Sequence, residues 1–63
     1  MIAVQWRPIG ADRWQWWSSG VPVATARRWF GDALAPMLGG AIVEKATQAT
    51  GMVQWRATRE AAS

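Results

Sequence analysis

Ile2, Val4 and Trp6 alternate with Ala3, Gln5 and Arg7 at the start of the chain. That period of two predicts a β-strand with one apolar and one polar side. Residues 8–12 (Pro-Ile-Gly-Ala-Asp) are turn chemistry, with Pro and Gly as breakers. Residues 13–18 resume the alternation, Trp14 and Trp16 on one side and Arg13, Gln15 and Trp17 on the other. Pairing Trp6 with Trp14 makes a hairpin that sets Val4 opposite Trp16, Ile2 opposite Ser18 and, on the reverse side, Gln5 opposite Gln15. The same register opposes Arg7 with Arg13, a like-charge pair, and leaves Trp17 on the polar reverse face beside Ala3.

Ser18-Ser19-Gly20 is expected to break the strand, and Pro22 suits the first position of a helix, where its missing N–H costs nothing. Val23, Ala26, Phe30, Ala33, Leu34 and Met37 recur at spacings of three and four, one apolar helical face. Ala24, Arg27, Arg28, Gly31, Asp32 and Ala35 fall mainly on the other side, with Trp29 on the flank. Pro36 disfavours helical geometry at Ala35 and removes a donor, so the helix should end near there, and Gly39-Gly40 completes the stop.

The last third reads as a second hairpin around Ala49-Thr50-Gly51, a three-residue loop whose glycine accepts a left-handed conformation. Gln48 then faces Met52; Thr47, Lys45 and Val43 face Val53, Trp55 and Ala57; and Ala46, Glu44 and Ile42 face Gln54, Arg56 and Thr58. That register puts the Glu44 carboxylate across from the Arg56 guanidinium and lets Lys45 lay its methylenes over Trp55. Residues 59–63 lack periodicity and are expected to fray. The expected fold is a single α+β domain over residues 1–58, strand–strand–helix–strand–strand, with one helix covering a small antiparallel sheet built from two hairpins.

Composition alters this picture at one point: six of the 63 residues are Trp. Each indole buries about 150–250 Å², and a domain of this size buries only about 60% of its unfolded surface. Trp6, Trp14, Trp16 and Trp55 are assigned to the core with Phe30 and Leu34, which leaves Trp17 and Trp29 as outward anchors. Seven basic residues against four acidic give a net charge of +3, and all but one of the seven are Arg. Guanidinium groups suit phosphate, carboxylate and aromatic partners, but no run of five or more cations marks a polyanion-binding segment.

The chain has no Cys and no His. Disulfides, zinc sites of the usual Cys/His kind and catalysis by His or Cys are therefore excluded. Asp12, Asp32, Glu44 and Glu60 are scattered over a turn, a helix face, a strand and the tail, so no carboxylate pair is set for acid–base work. Ser18 and Ser19 have no base to activate them, and the glycines form no phosphate-cradling loop. The expectation is a non-enzymatic protein without cofactor, metal or small-molecule substrate.

Two binding classes remain. Trp and Arg are the residues most enriched at protein-interface hot spots, which makes a protein partner or self-association the leading expectation. The surface offered is Trp17, Arg13, Arg7, Gln15, Trp29, Arg28 and Arg56. The same mixture of cations and rings suits single-stranded or duplex nucleic acid, the second expectation, although the aromatic residues of the RNA-recognition sheet are missing. Arg13-Trp14-Gln15-Trp16-Trp17 resembles the Arg/Trp-rich core of cationic antimicrobial peptides of the lactoferricin type, which implies action at a membrane interface. It spans five residues, and Asp12 and Ser18 stand where that pattern continues with cations, so membrane action ranks last. No stretch has the length of a membrane span or the layout of a signal peptide, which points to the cytoplasm. Size and layout are those of small accessory or inhibitory proteins of phages and mobile elements, an argument from analogy.

Overall fold

A computed structural model describes residues 1–49 and 51–60. Its elements run β1 (Ile2–Pro8), β2 (Gln15–Val21), α1 (Val23–Phe30), a 3-10 turn (Gly31–Ala33), α2 (Leu34–Leu38), β3 (Val43–Thr47) and β4 (Gly51–Arg59). The strands form one antiparallel sheet in the order β2-β1-β4-β3, so the two hairpins join through β1 and β4 at the centre. The α+β order expected from periodicity is the order found.

The helices pack on one face of the sheet. Ile2 and Val4 of β1, Val21 of β2, and Val53, Trp55 and Ala57 of β4 meet Ala26, Leu34 and Met37 in a buried cluster. Burying these apolar groups is the main term holding the sheet to the helices. Arg7 to Gln54 and Gln5 to Arg56 alternate onto the opposite, uncovered face.

Four local details differ from expectation. In the first hairpin Trp6 pairs with Gln15, Gln5 with Trp16, Val4 with Ser18 and Ile2 with Val21, with irregularities between these pairs. Near the turn this is a one-residue slip, which reverses the faces of the second strand. The slip removes the like-charge opposition of Arg7 and Arg13 and spares a small core from enclosing both Trp14 and Trp16. Extra residues then restore Val21 to the core, and Ser18-Ser19-Gly20 continues β2 instead of ending it; Gly20 supplies the φ of +64° that the bulged backbone needs.

The helix breaks earlier than Pro36 suggested. Gly31 at φ +58°, ψ −134° closes α1, and Pro36 sits in the first turn of α2, where its absent N–H has no intrahelical acceptor to lose. The second hairpin pairs Thr47 with Gly51, Lys45 with Val53, Glu44 with Gln54 and Val43 with Trp55. This lies two residues from the expected register, so the faces are kept but the Glu44–Arg56 pairing is lost. Gly51 has the anticipated positive φ of +70°, yet it opens β4 instead of closing the loop, while Thr50 lies outside the described residues. Finally, β4 continues to Arg59, paired with Ile2, and the Glu60 N–H donates to the Met1 carbonyl at 3.0 Å. Residues 61–63 of the expected tail lie outside the described residues.

Candidate functional site

Strand pairing decides where the indoles go. Trp6 and Trp55 face each other across β1 and β4 on the helix side of the sheet, and Trp17 reaches the same side from β2.

Trp55 is the one Trp in the core, 6% exposed. Its Nε1–H donates to the Lys45 carbonyl at 3.2 Å. Phe30 meets it at a centroid distance of 6.0 Å and Trp17 at 5.2 Å, both edge to face, the geometry that ring quadrupoles favour. Trp17 projects from β2 across β1 and remains 55% exposed. One cleft of about 270 Å³ is lined by Trp17, Trp29, Phe30, Lys45, Ala46 and Trp55. A second, of about 430 Å³, shares Trp17 and Trp55 and adds Trp6 and the β3–β4 turn. Together they form an aromatic trough floored by Trp55, with Trp17 as its raised wall. Lys45, expected to face Trp55 and lay its methylenes over that ring, pairs with Val53 instead; its ammonium donates to the Trp29 carbonyl at 2.9 Å, near the C-terminus of α1, and lies 5.9 Å from the Phe30 ring.

The uncovered face has a different chemistry. Opposite residues pair there as Gln5 with Arg56 and Arg7 with Gln54, a two-by-two checkerboard. Arg56 Nε donates to Gln5 Oε1 at 2.6 Å and Arg7 Nε to Gln54 Oε1 at 2.8 Å. Gln54 Nε2 in turn reaches Glu44 Oε2 at 3.5 Å. The Trp14 ring joins the diagonal, with the Arg7 and Arg56 guanidinium carbons each 4.4 Å from its centroid, within cation–π range. Trp16, opposite Gln5, is 69% exposed beside them.

The seven residues expected to make one binding surface are thus divided. Trp17 and Trp29 line the trough on the helix side, so Trp17 does not share the reverse face with Arg7. Arg7 and Arg56 occupy the uncovered face. Gln15 pairs with Trp6 at the exposed edge of β2, Arg13 is exposed in the first turn and Arg28 is exposed on α1. Trp14 and Trp16, assigned to the core by alternation, lie on the uncovered face instead, Trp14 half-buried and Trp16 exposed. Phe30, Lys45 and Ala46 of the trough were not anticipated as site residues. The glycine at position 20 was a partial signal: a Gly inside a strand pattern marks a bulge, and here the bulge carries β2 on to Val21 in the core.

Among the described residues no group of three His, Cys, Asp or Glu is placed to hold a metal ion, and no helix is long and apolar enough to cross a membrane. Compared with protein-family models, with curated proteins and with solved structures, the chain matches none.

Proposed function

We propose that the chain is a non-enzymatic interaction module of the cytoplasm, an accessory protein whose aromatic trough receives an apolar side chain of a partner protein. The supporting observation is the pairing of a half-exposed Trp17 with the buried Trp55 beneath it. An indole held edge-on over a core residue is positioned before any partner arrives, so little side-chain freedom remains to be lost on binding. Each trough compartment is at or near the low end of small-ligand pockets, roughly 300–1,000 Å³, and suits individual apolar side chains. Lys45 at the rim favours an acidic residue flanking that anchor.

Selection of peptides from a random displayed library against the folded protein tests this reading. The selected sequences should combine a branched or aromatic residue with an acidic neighbour. Trp17→Ala should weaken their binding by about thirtyfold or more, the range of an interface hot spot. Equal affinity for parent and variant would refute the trough as the site. Sedimentation across a concentration series separates the other occupant: a dimer that W17A dissolves would assign the trough to a second copy of the chain.

A further inference from the structure

The uncovered sheet face carries a charge arrangement that packing alone does not require. Arg7 and Arg56 converge on one indole, so their guanidinium carbons lie within twice 4.4 Å of each other. The Trp14 face that they share offsets part of their mutual repulsion, and an added anion offsets the rest. Among the described residues neither guanidinium has a carboxylate partner; each gives its Nε–H to a neutral glutamine, and Glu44 reaches only Gln54, one strand away. The glutamines fix the two guanidinium planes and leave their terminal amino groups without a carboxylate. Trp16 stands in the next strand with most of its ring open to solvent.

We infer that this face is a second binding site, independent of the trough, and that it holds single-stranded nucleic acid, a backbone phosphate at Arg7 and Arg56 and a base stacked on Trp16. Phosphate matches the fork of donors that a guanidinium presents. A cation pair beside an open ring on an uncovered sheet is the combination by which single strands are held without sequence readout. An acidic peptide matches the two cations but has no use for the exposed indole. A duplex buries its bases, so it too leaves Trp16 without a partner.

The experiment is a fluorescence titration with a labelled oligothymidylate about twelve nucleotides long, within the site sizes of single-strand binders. Parallel titrations use the same length of duplex and a polyglutamate peptide, each from about 20 to 200 mM salt. The single strand should bind, and its affinity should fall with salt at a log–log slope of about −1.4, two phosphates at roughly 0.7 each. R56Q should reduce that slope by about 0.7 and weaken binding. W16A, at a ring that the core does not use, should weaken binding by about tenfold or more. W17A should leave oligonucleotide binding unchanged, which keeps this site separate from the trough.

Absence of binding at the lowest salt would overturn the proposal, as would single-strand affinity insensitive to W16A. Polyglutamate binding more tightly than the oligonucleotide would reassign the arginine pair to carboxylates, and duplex binding as tight as the single strand would remove the stacking role. If R56Q does not fold, W16A decides the matter alone, by the same two outcomes.

Discussion

Replacing Trp55 by Ala removes the floor of the trough and the largest side chain of the core. The indole is 6% exposed, so nearly all of its about 150–250 Å² is withdrawn from water. At about 25 cal/mol per Å² the transfer term is about 4–6 kcal/mol, an upper figure because the denatured chain already shields part of that surface. Two edge-to-face contacts and the hydrogen bond to the Lys45 carbonyl are lost as well. Against this, the space left behind opens into the trough, so water enters and little sealed cavity remains. These considerations place the loss near 3–4 kcal/mol, the lower part of the range for large aromatic truncations. A domain of this length has about 3–9 kcal/mol of stability in all. W55A should therefore unfold at a midpoint at least about 12 °C below the parent, or be unfolded at room temperature. Thermal melts followed by far-ultraviolet circular dichroism, with urea titration at one temperature, give the number. A loss under about 1 kcal/mol would refute the placement of Trp55 beneath the helices and with it the trough geometry.

The remaining stability predictions concern smaller features. Gly31→Ala meets no atom within 4 Å of the added Cβ, so its cost is the backbone conformation alone, about 1–3 kcal/mol; a urea midpoint shifted down with an unchanged m-value is the expected result. Lys45→Met keeps the apolar stem but removes the ammonium from the C-terminal carbonyls of α1, and should cost about 0.5–1 kcal/mol, less in high salt. W17A should melt within about 1.5 kcal/mol of the parent, the value of one lost edge-to-face contact, so that its binding defect is not a folding defect.

The alternation of Ile2, Val4 and Trp6 and of Val53, Trp55 and Ala57 was enough to place the central strands and their buried face, because neighbours two apart share a side whatever the register. The second hairpin shows the same robustness: a displacement by two residues moved Glu44 from Arg56 to Gln54 without turning any side chain over. The first hairpin shows the opposite. A turn one residue longer than assumed, followed by bulges, exchanged the faces of Trp16 and Trp17, and no periodicity argument registers an extra residue inside a strand. The excess of indole over core capacity was legible from composition, since one Trp is buried and Trp16, Trp17 and Trp29 are exposed. Which rings face outward was not, because that follows from the bulged register of β2 on β1; likewise Gly31, not Pro36, sets where α1 stops.

The six tryptophans supply six indole N–H signals, and a ¹⁵N-edited nuclear magnetic resonance titration reads all of them in one spectrum. Addition of a library-selected peptide should move the signals of Trp17, Trp29 and Trp55, whose rings line the trough, while the Trp16 signal stays in place. A peptide that shifted Trp14 and Trp16 but left Trp17 and Trp55 unmoved would contradict recognition through the trough.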